Sequence, residues 1–278
     1  MKKFSVITVN FNNKEGLRKT IDSVLQQTYR DFEFILIDGG STDGSLEIIQ
    51  QAEQHIDYWV SEPDRGIYHA MNKGILEASG TYCIFMNSGD YFHHATVLEE
   101  VSPQCDRDII TGQMIKGTGP FPTGYPSHDI SMLHFAKSTI PHQATFIRKE
   151  LFQHSLYDEN YQIVSDWKFF IEVLVIKNCS FRKIDTVIAH VDDGGISRQQ
   201  EGLLRMEREK VIKELLPERI CVDYAYFTGA DSPLLQITPL FNKTYGFQKF
   251  IYSLVLILTK IYIFSRKVLF RQTHPKAT

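Results

Sequence analysis

The 278-residue chain lacks most of the short motifs by which nucleotide-using and hydrolytic enzymes are first sorted. It has no GxGxxG turn, no P-loop and no GxSxG elbow, so a dinucleotide oxidoreductase, a Walker-type ATPase and a serine hydrolase lose their usual support. Its four cysteines, Cys83, Cys105, Cys179 and Cys221, form no CxxC pair, which argues against a zinc or dithiol redox centre. Cys83 and Cys179 lie in or beside strand-like runs and read as core thiols of a reducing cytoplasm. Basic residues are not interleaved with aromatic ones on any strand face, so nucleic acid is not an expected partner. No apolar run reaches the ~20 residues that span a bilayer. Acidic residues are missing altogether beyond Asp231, where seven basic ones remain.

That last absence shapes the C-terminal tail. Phe250–Phe264 is apolar except for Ser253, Thr259 and Lys260. Apolar bulk with uncompensated positive charge suits a helix lying in a membrane interface, with its basic side chains reaching the headgroups. A helix docked on the body or on a second subunit is the alternative. The N-terminal Met1–Val9 is basic and then apolar, too short before Asn10 for a signal peptide, and reads as a first strand.

The body is 43% apolar and 12% aromatic, enough for one large domain with a true core. Strands are expected at Phe4–Val9, Phe32–Ile37, Tyr58–Val60 and Tyr82–Met86. Helices are expected at Lys14–Gln27, Leu46–Gln54 (after Ser45 as cap) and Ile67–Ala78. This alternation predicts an α/β fold with a parallel, doubly wound sheet. Residues 112–140 show no period and read as a long functional loop. Beyond it come a strand at Ala144–Ile147, helices at Lys149–His154 and Ser165–Ile176, strands near Ser180–Ile184 and Val187–Val191, and a polar helix over Gln200–Leu215. The division expected is 1–230 as the globular body, with halves 1–105 and 106–230, and 231–278 as a basic amphipathic tail.

Candidate chemistry gathers where strands end. Phe34–Ile37 runs into Asp38-Gly39-Gly40-Ser41, and Tyr82–Met86 into Asn87-Ser88-Gly89-Asp90. Open α/β sheets bind ligands along such an edge. Asp38 can accept hydrogen bonds from a base or ribose, or simply close an Asx-turn. Asp90 can hold a hard cation together with phosphate oxygens, or be a solvated turn residue. Asp166 opens a helix, where it suits the helix dipole or serves as a general base. Arg65 can reach a phosphate or make a turn. His142, with Gln143, and His190 can each be a metal ligand, an acceptor contact or a structural histidine.

Taken together these stretches resemble family 2 glycosyltransferases of the GT-A fold, the bacterial group that builds surface polysaccharides such as capsule or lipopolysaccharide. The likeness rests on Ser5–Asn12, Leu25–Thr28, Ile37–Ser45, Glu62–Tyr68, Ala70–Ile75, Ala78–Gly80, Met86–Asp90, Pro141–Phe146 and Ser165–Trp167. It is dense over residues 3–95, thinner to about 197 and absent from the tail. The resemblance implies a Rossmann-like, mostly parallel sheet flanked by helices, an inverting reaction, a divalent cation (Mn²⁺ or Mg²⁺) and a nucleotide-diphospho-sugar donor, a UDP-sugar first of all. It implies a hexosyl or N-acetylhexosaminyl group moved to a glycan or lipid-linked acceptor, by an enzyme peripheral to the inner face of the cytoplasmic membrane.

Carried over residue by residue, the resemblance puts Val9, Phe11, Asp38, Arg65, Asn72 and Asp90 at the donor, and Asp166 as base. Asp90, with His190, falls to the metal, and His142 and Gln143 to the acceptor. The family often has a second acid where this chain has Gly39, an Asp-x-Asp-Asp metal motif where it has Asn87–Asp90, and Glu where it has Ser165. Diphosphate oxygens and water can complete the coordination of a cation held by a single carboxylate. Two rivals are a sugar-phosphate nucleotidyltransferase, which would want a Gly-rich basic motif that Asn10–Gly16 does not supply, and a degenerate nucleotide-sugar-binding subunit that recruits partners to the membrane.

Overall fold

A computed structural model describes residues 2–117, 119, 130–191, 200–228, 253–260 and 262. The chain forms two compact units, Met1–Leu215 and Leu216–Thr278. Each is described by itself.

The first unit is built on an eight-stranded sheet of order β3-β2-β1-β4-β7-β6-β8-β5. Its strands are β1 Phe4–Asn10, β2 Phe32–Asp38, β3 Tyr58–Ser61, β4 Tyr82–Phe85, β5 Tyr91–Phe92, β6 Ile109–Lys116, β7 Thr145–Arg148 and β8 Phe181–Val191. Strands β3, β2, β1 and β4 run parallel. Strands β1, β2 and β4 are apolar and buried nearly throughout, as a parallel sheet covered on both faces requires, whereas β3 at the edge is only partly buried. Strand β7 reverses the direction against β4 and β6.

The parallel register aligns Asn10 with Asp38 and Asp38 with Ser61, so three polar residues finish three neighbouring strands side by side. The first helix, α1 (Lys14–Leu25), begins at Asn13, whose side chain accepts from Gly16 N, and buries Leu17, Ile21 and Val24. Helix α2 is Ser45–Ala52 and α3 is Ile67–Glu77. Short helices α4 (Val97–Val101) and α5 (Met132–Lys137) follow, then α6 (Ser165–Phe170), which continues as a π-helix over Ile171–Ile176. Helix α7 is Glu201–Leu215.

Four expectations need correction. Ser45 does not cap α2: Gly44 (φ +93°) is the N-cap, with no side-chain cap bond, and Ser45 is the first helical residue, its N and hydroxyl donating to Asp43 Oδ1 at 3.1 and 2.6 Å. Residues 112–140 are not one loop. Their first part belongs to β6 and Met132–Lys137 is α5, while 118 and 120–129 lie outside the described residues. The two late strands are one continuous β8, whose pairing with β6 shifts register near Gln113 and so interrupts the apolar alternation. Strand β5 and α4 were not expected, being only two and five residues long.

The second unit contains α8 (Glu218–Thr228) and a helical stretch at 253–260. Among the described residues no helix is long and apolar enough to cross a membrane. The rest of the expected tail, 231–252, 261 and 263–278, lies outside the described residues.

Candidate active site

The edge formed by the carboxyl ends of β1, β2, β3 and β4 is tied together by its own polar residues. Asp38 is fully buried. Its Oδ1 accepts from Asn10 Nδ2 at 2.7 Å and Ser41 Oγ at 2.6 Å, and its Oδ2 from Ser61 Oγ at 2.6 Å and Ser41 N at 2.9 Å. Burial works to raise the Asp38 carboxyl, but the bonds from Ser41, Ser61 and Asn10 outweigh it and hold the group below the usual carboxylate range. Four donors around two oxygens leave Asp38 joining three strand ends.

A second carboxylate, that of Asp64, stands half-buried beside it. Gly39 carries no Cβ, and the space a Cβ would occupy lies 2.5 Å from Asp64 Oδ2 and 3.1 Å from Phe11 Cδ2. Any side chain here would displace both. Phe11 is 64% exposed, an unusual state for a phenylalanine, and presents a ring at the strand end. Val9 is buried two residues earlier. Arg65 lies on the same approach but is paired with Glu159 at 2.5 Å. Asn72, expected at the donor, is buried and turned elsewhere: its Oδ1 accepts from Tyr157 N at 3.0 Å and its Nδ2 donates to Tyr157 O at 2.8 Å. It fastens α3 to the 157–159 segment.

After β4 the chain runs beside β1, with Met86 N on Ile7 O and Ser88 N on Val9 O. It then turns at Gly89 (φ +105°), a backbone value that only glycine adopts without strain. From α1, Thr20 anchors the turn, its hydroxyl 3.0 Å from Gly89 N and 2.7 Å from Asp90 O. Asp90 is 6% exposed at the end of this turn. Among the described residues no three His, Cys, Asp or Glu side chains gather as a metal set. His190, paired with Tyr91 across β8 and β5, is stacked on the Tyr91 ring, with its Nε2 2.8 Å from His93 Nδ1. Burial lowers both histidines below the usual range, helped at His93 by the charge of His94 and at His190 by that of His93.

Asp166 stands at the start of α6 with only 13% of its side chain exposed. Its Oδ1 accepts from Trp167 N at 2.8 Å and from the Tyr68 hydroxyl at 3.0 Å. Its Oδ2 lies 3.0 Å from His142 Nδ1. The other nitrogen of His142, Nε2, lies 3.2 Å from Asn87 Nδ2. Strand β7 lies against β4, and its entry turn, His142–Ala144, therefore lies beside the Asn87–Asp90 turn. Asp166 is thus joined to that turn through a single ring, with Gln143 half-buried next to it. The approach to α6 is held from α7, where the Glu207 carboxylate accepts from Gln162, Ile163 and Val164 N at 2.8, 2.9 and 3.3 Å. Neither Tyr68 nor Glu207 was picked out as a site residue from sequence. Tyr68 closes the Glu62–Tyr68 motif and could have been found there; Glu207 is one acid in a polar helix and carries no local signal.

A parallel sheet edge with acids at its strand ends, a reversed strand beside it, and a half-buried Asp166 at the start of α6 fit a GT-A type glycosyltransferase. The chain belongs to the glycosyl transferase family 2, whose model matches residues 5–174. It is 33% identical over 212 residues to an uncharacterized glycosyltransferase of Mycobacterium tuberculosis, covering 71% of this chain and 78% of that one. It is 32% identical over 203 residues to a PGL/p-HBAD biosynthesis glycosyltransferase of Mycobacterium bovis, covering 70% and 78%. Among solved structures it is similar to TarS of S. aureus (TM-score 0.62, 17% identity, 87% of this chain but 46% of that one). The 1–349 portion of TarS, in complex with UDP-GlcNAc, gives a TM-score of 0.62 at 16% identity, covering 88% of this chain and 77% of that one. The mannosyltransferase PcManGT of Pyrobaculum calidifontis, in complex with GDP-Man and Mn²⁺, gives 0.60 at 15% identity, covering 92% and 80%. These likenesses to solved structures establish the fold.

Proposed function

We propose that this glycosyltransferase moves a sugar, with inversion, from a nucleotide-diphospho-sugar to a hydroxyl of a glycan or lipid-linked acceptor. The observation that carries the reading is Asp166: a mostly buried carboxylate whose Oδ1 is filled by Trp167 and Tyr68, while Oδ2 keeps one lone pair beside His142. In a single displacement the acceptor oxygen bonds to the anomeric carbon as its proton passes to Asp166. The bond from that carbon to the diphosphate breaks on the opposite face. The exposed Phe11 ring offers a platform for the donor base, and Asp64 an acceptor beside it.

Among the described residues no set of three acids, histidines or cysteines gathers at the Asp90 turn, so the site suits a divalent cation brought in with the diphosphate better than one caged by protein alone. Asp90 would hold Mn²⁺ or Mg²⁺ there, and a cation so placed supplies neutralisation of charge on the leaving diphosphate. Membrane contact through the tail is supported by exposed apolar residues at Leu254–Leu258 and by the seven basic residues beyond Asp231.

The test is mass-spectrometric detection of transfer and donor turnover from a panel of nucleotide-sugars with Mn²⁺ or Mg²⁺, by the native chain and by Asp166→Asn. Loss of turnover by a factor of about 10² or more in the variant is expected. An unimpaired Asp166→Asn would exclude it as base, and donor binding without turnover under all conditions would favour a recruiting subunit.

A further inference from the structure

His142 is held at both ring nitrogens, by Asp166 at Nδ1 and by Asn87 at Nε2. Its ring also packs edge-on against Phe85, with centroids 6.4 Å apart. Asp166 is the charged group facing it, with the Tyr68 hydroxyl on that carboxylate's other oxygen. An ionised carboxylate only accepts hydrogen bonds, so Nδ1 must carry the ring proton. In a neutral ring Nε2 is then a lone pair, and only the Nδ2 end of the Asn87 amide can meet it. Consistent with that orientation, Asn87 Oδ1 is buried and has no hydrogen-bond partner among the described residues. The reverse orientation would require a proton on Nε2 as well, which makes the ring an imidazolium.

We propose that Asn87 and His142 are positioning residues: Asn87 fixes His142 as the neutral Nδ1–H tautomer, and that tautomer orients Asp166 without setting a positive charge against it. The proposal rests on Asp166 being the base. An imidazolium at Oδ2 would stabilise the carboxylate before transfer and oppose uptake of the acceptor's proton. Asn87 then has a reason to be an amide. An aspartate in its place would set a carboxylate on Nε2 and favour the imidazolium, so Asn87 is an orienting group turned toward the base and not a metal acid that has been lost.

Two measurements on the full chain test this. Imidazole ¹⁵N NMR reads the tautomer, with His142→Gln assigning the signal. The Nδ1–H form is expected in the native protein near neutral pH, and the titration midpoint should rise in Asn87→Asp by about one pH unit or more. Donor turnover is the second. Asn87→Asp should move the acid limb of kcat upward by the same interval with little change in donor KM. His142→Gln, which can still donate to Asp166, should retain more kcat than His142→Ala. An Nε2–H tautomer in the native protein, or a titration that Asn87→Asp does not move, overturns the proposal. So do His142 variants with native kcat and pH profile while Asp166→Asn is inactive, and in that case the base reading stands. A fully active Asp166→Asn removes the base reading and the positioning role together, whereas the tautomer is judged by the NMR spectrum alone.

Discussion

The Tyr68 hydroxyl lies 2.6 Å from Ile163 O and 3.0 Å from Asp166 Oδ1, so one proton serves both the Asp166 carboxylate and the loop that carries it. Tyr68 is buried, and burial followed by the neighbouring Asp166 charge pushes its phenol well above the usual 10. It stays a donor across any ordinary assay range. Tyr68→Phe should therefore lower donor turnover about tenfold, roughly the 1.4 kcal/mol of one hydrogen bond to a charged group. The loss should be uniform between pH 6 and 9.

The same burial predicts an alkaline limit on stability. Tyr157 is also buried and raised well above the usual range, by burial first and then by Asp166. Both groups are neutral in the folded chain, whereas in the unfolded chain they ionise near pH 10. Stability from keeping them neutral is complete below about pH 10 and is lost as pH rises toward the folded values. Thermal melts from pH 8 to 11.5 should fall steeply above 10. Tyr68→Phe with Tyr157→Phe should flatten that fall; an unchanged slope would refute the assignment.

Glu207 governs the other side of the same loop. Its carboxylate takes three successive backbone N–H groups just before α6, and the residue is 8% exposed. Glu207→Gln keeps the shape but removes the charge and one accepting oxygen. It should cost about 2 kcal/mol in chemical denaturation and lower turnover without changing nucleotide affinity. Affinity falling in step with turnover would mean that the loop also shapes the donor site.

Much of residues 1–105 could be read from the chain, because β1, β2 and β4 are apolar runs buried on both faces and each ends at a turn rich in glycine or small polar residues. The same local patterns placed Asp38, Asp90 and Asp166 at the ends of elements. They did not say what each side chain meets. Asn87 was read as part of a metal motif, and it meets His142, 55 residues further on, because β7 runs antiparallel against β4, a pairing that no local period encodes. Asn72 was read as a donor contact and holds Tyr157 for the same reason: partner choice is set by tertiary packing.

Phe11 is the least expensive residue to test at the donor edge. At 64% exposure its ring contributes little to the core, so Phe11→Ala should leave the melting temperature within about 2 °C of native. Base stacking on an aromatic ring contributes about 1–3 kcal/mol, so calorimetric affinity for the nucleoside diphosphate should fall between about fivefold and a hundredfold. Equal affinity would place the base elsewhere on the edge.

Asp38 gives the contrasting case, an acid whose first task is the fold. Its carboxyl lies below the usual range despite burial, because Ser41, Ser61 and Asn10 donate to the charged form. A depressed carboxylate contributes stability above its unfolded value, near pH 4, and loses it as pH falls through the folded one. Asp38→Asn should therefore destabilise the chain at pH 7 by about 2 kcal/mol or more, since its amide nitrogen turns a second donor on Ser61 and Ser41. The gap between variant and native protein should narrow as pH falls below 4, as native Asp38 itself becomes protonated. Urea denaturation at pH 7 and pH 3 measures both. A variant as stable as the native protein at pH 7, but unable to bind nucleotide, would reverse the order of the two roles and make Asp38 a donor contact before a structural one.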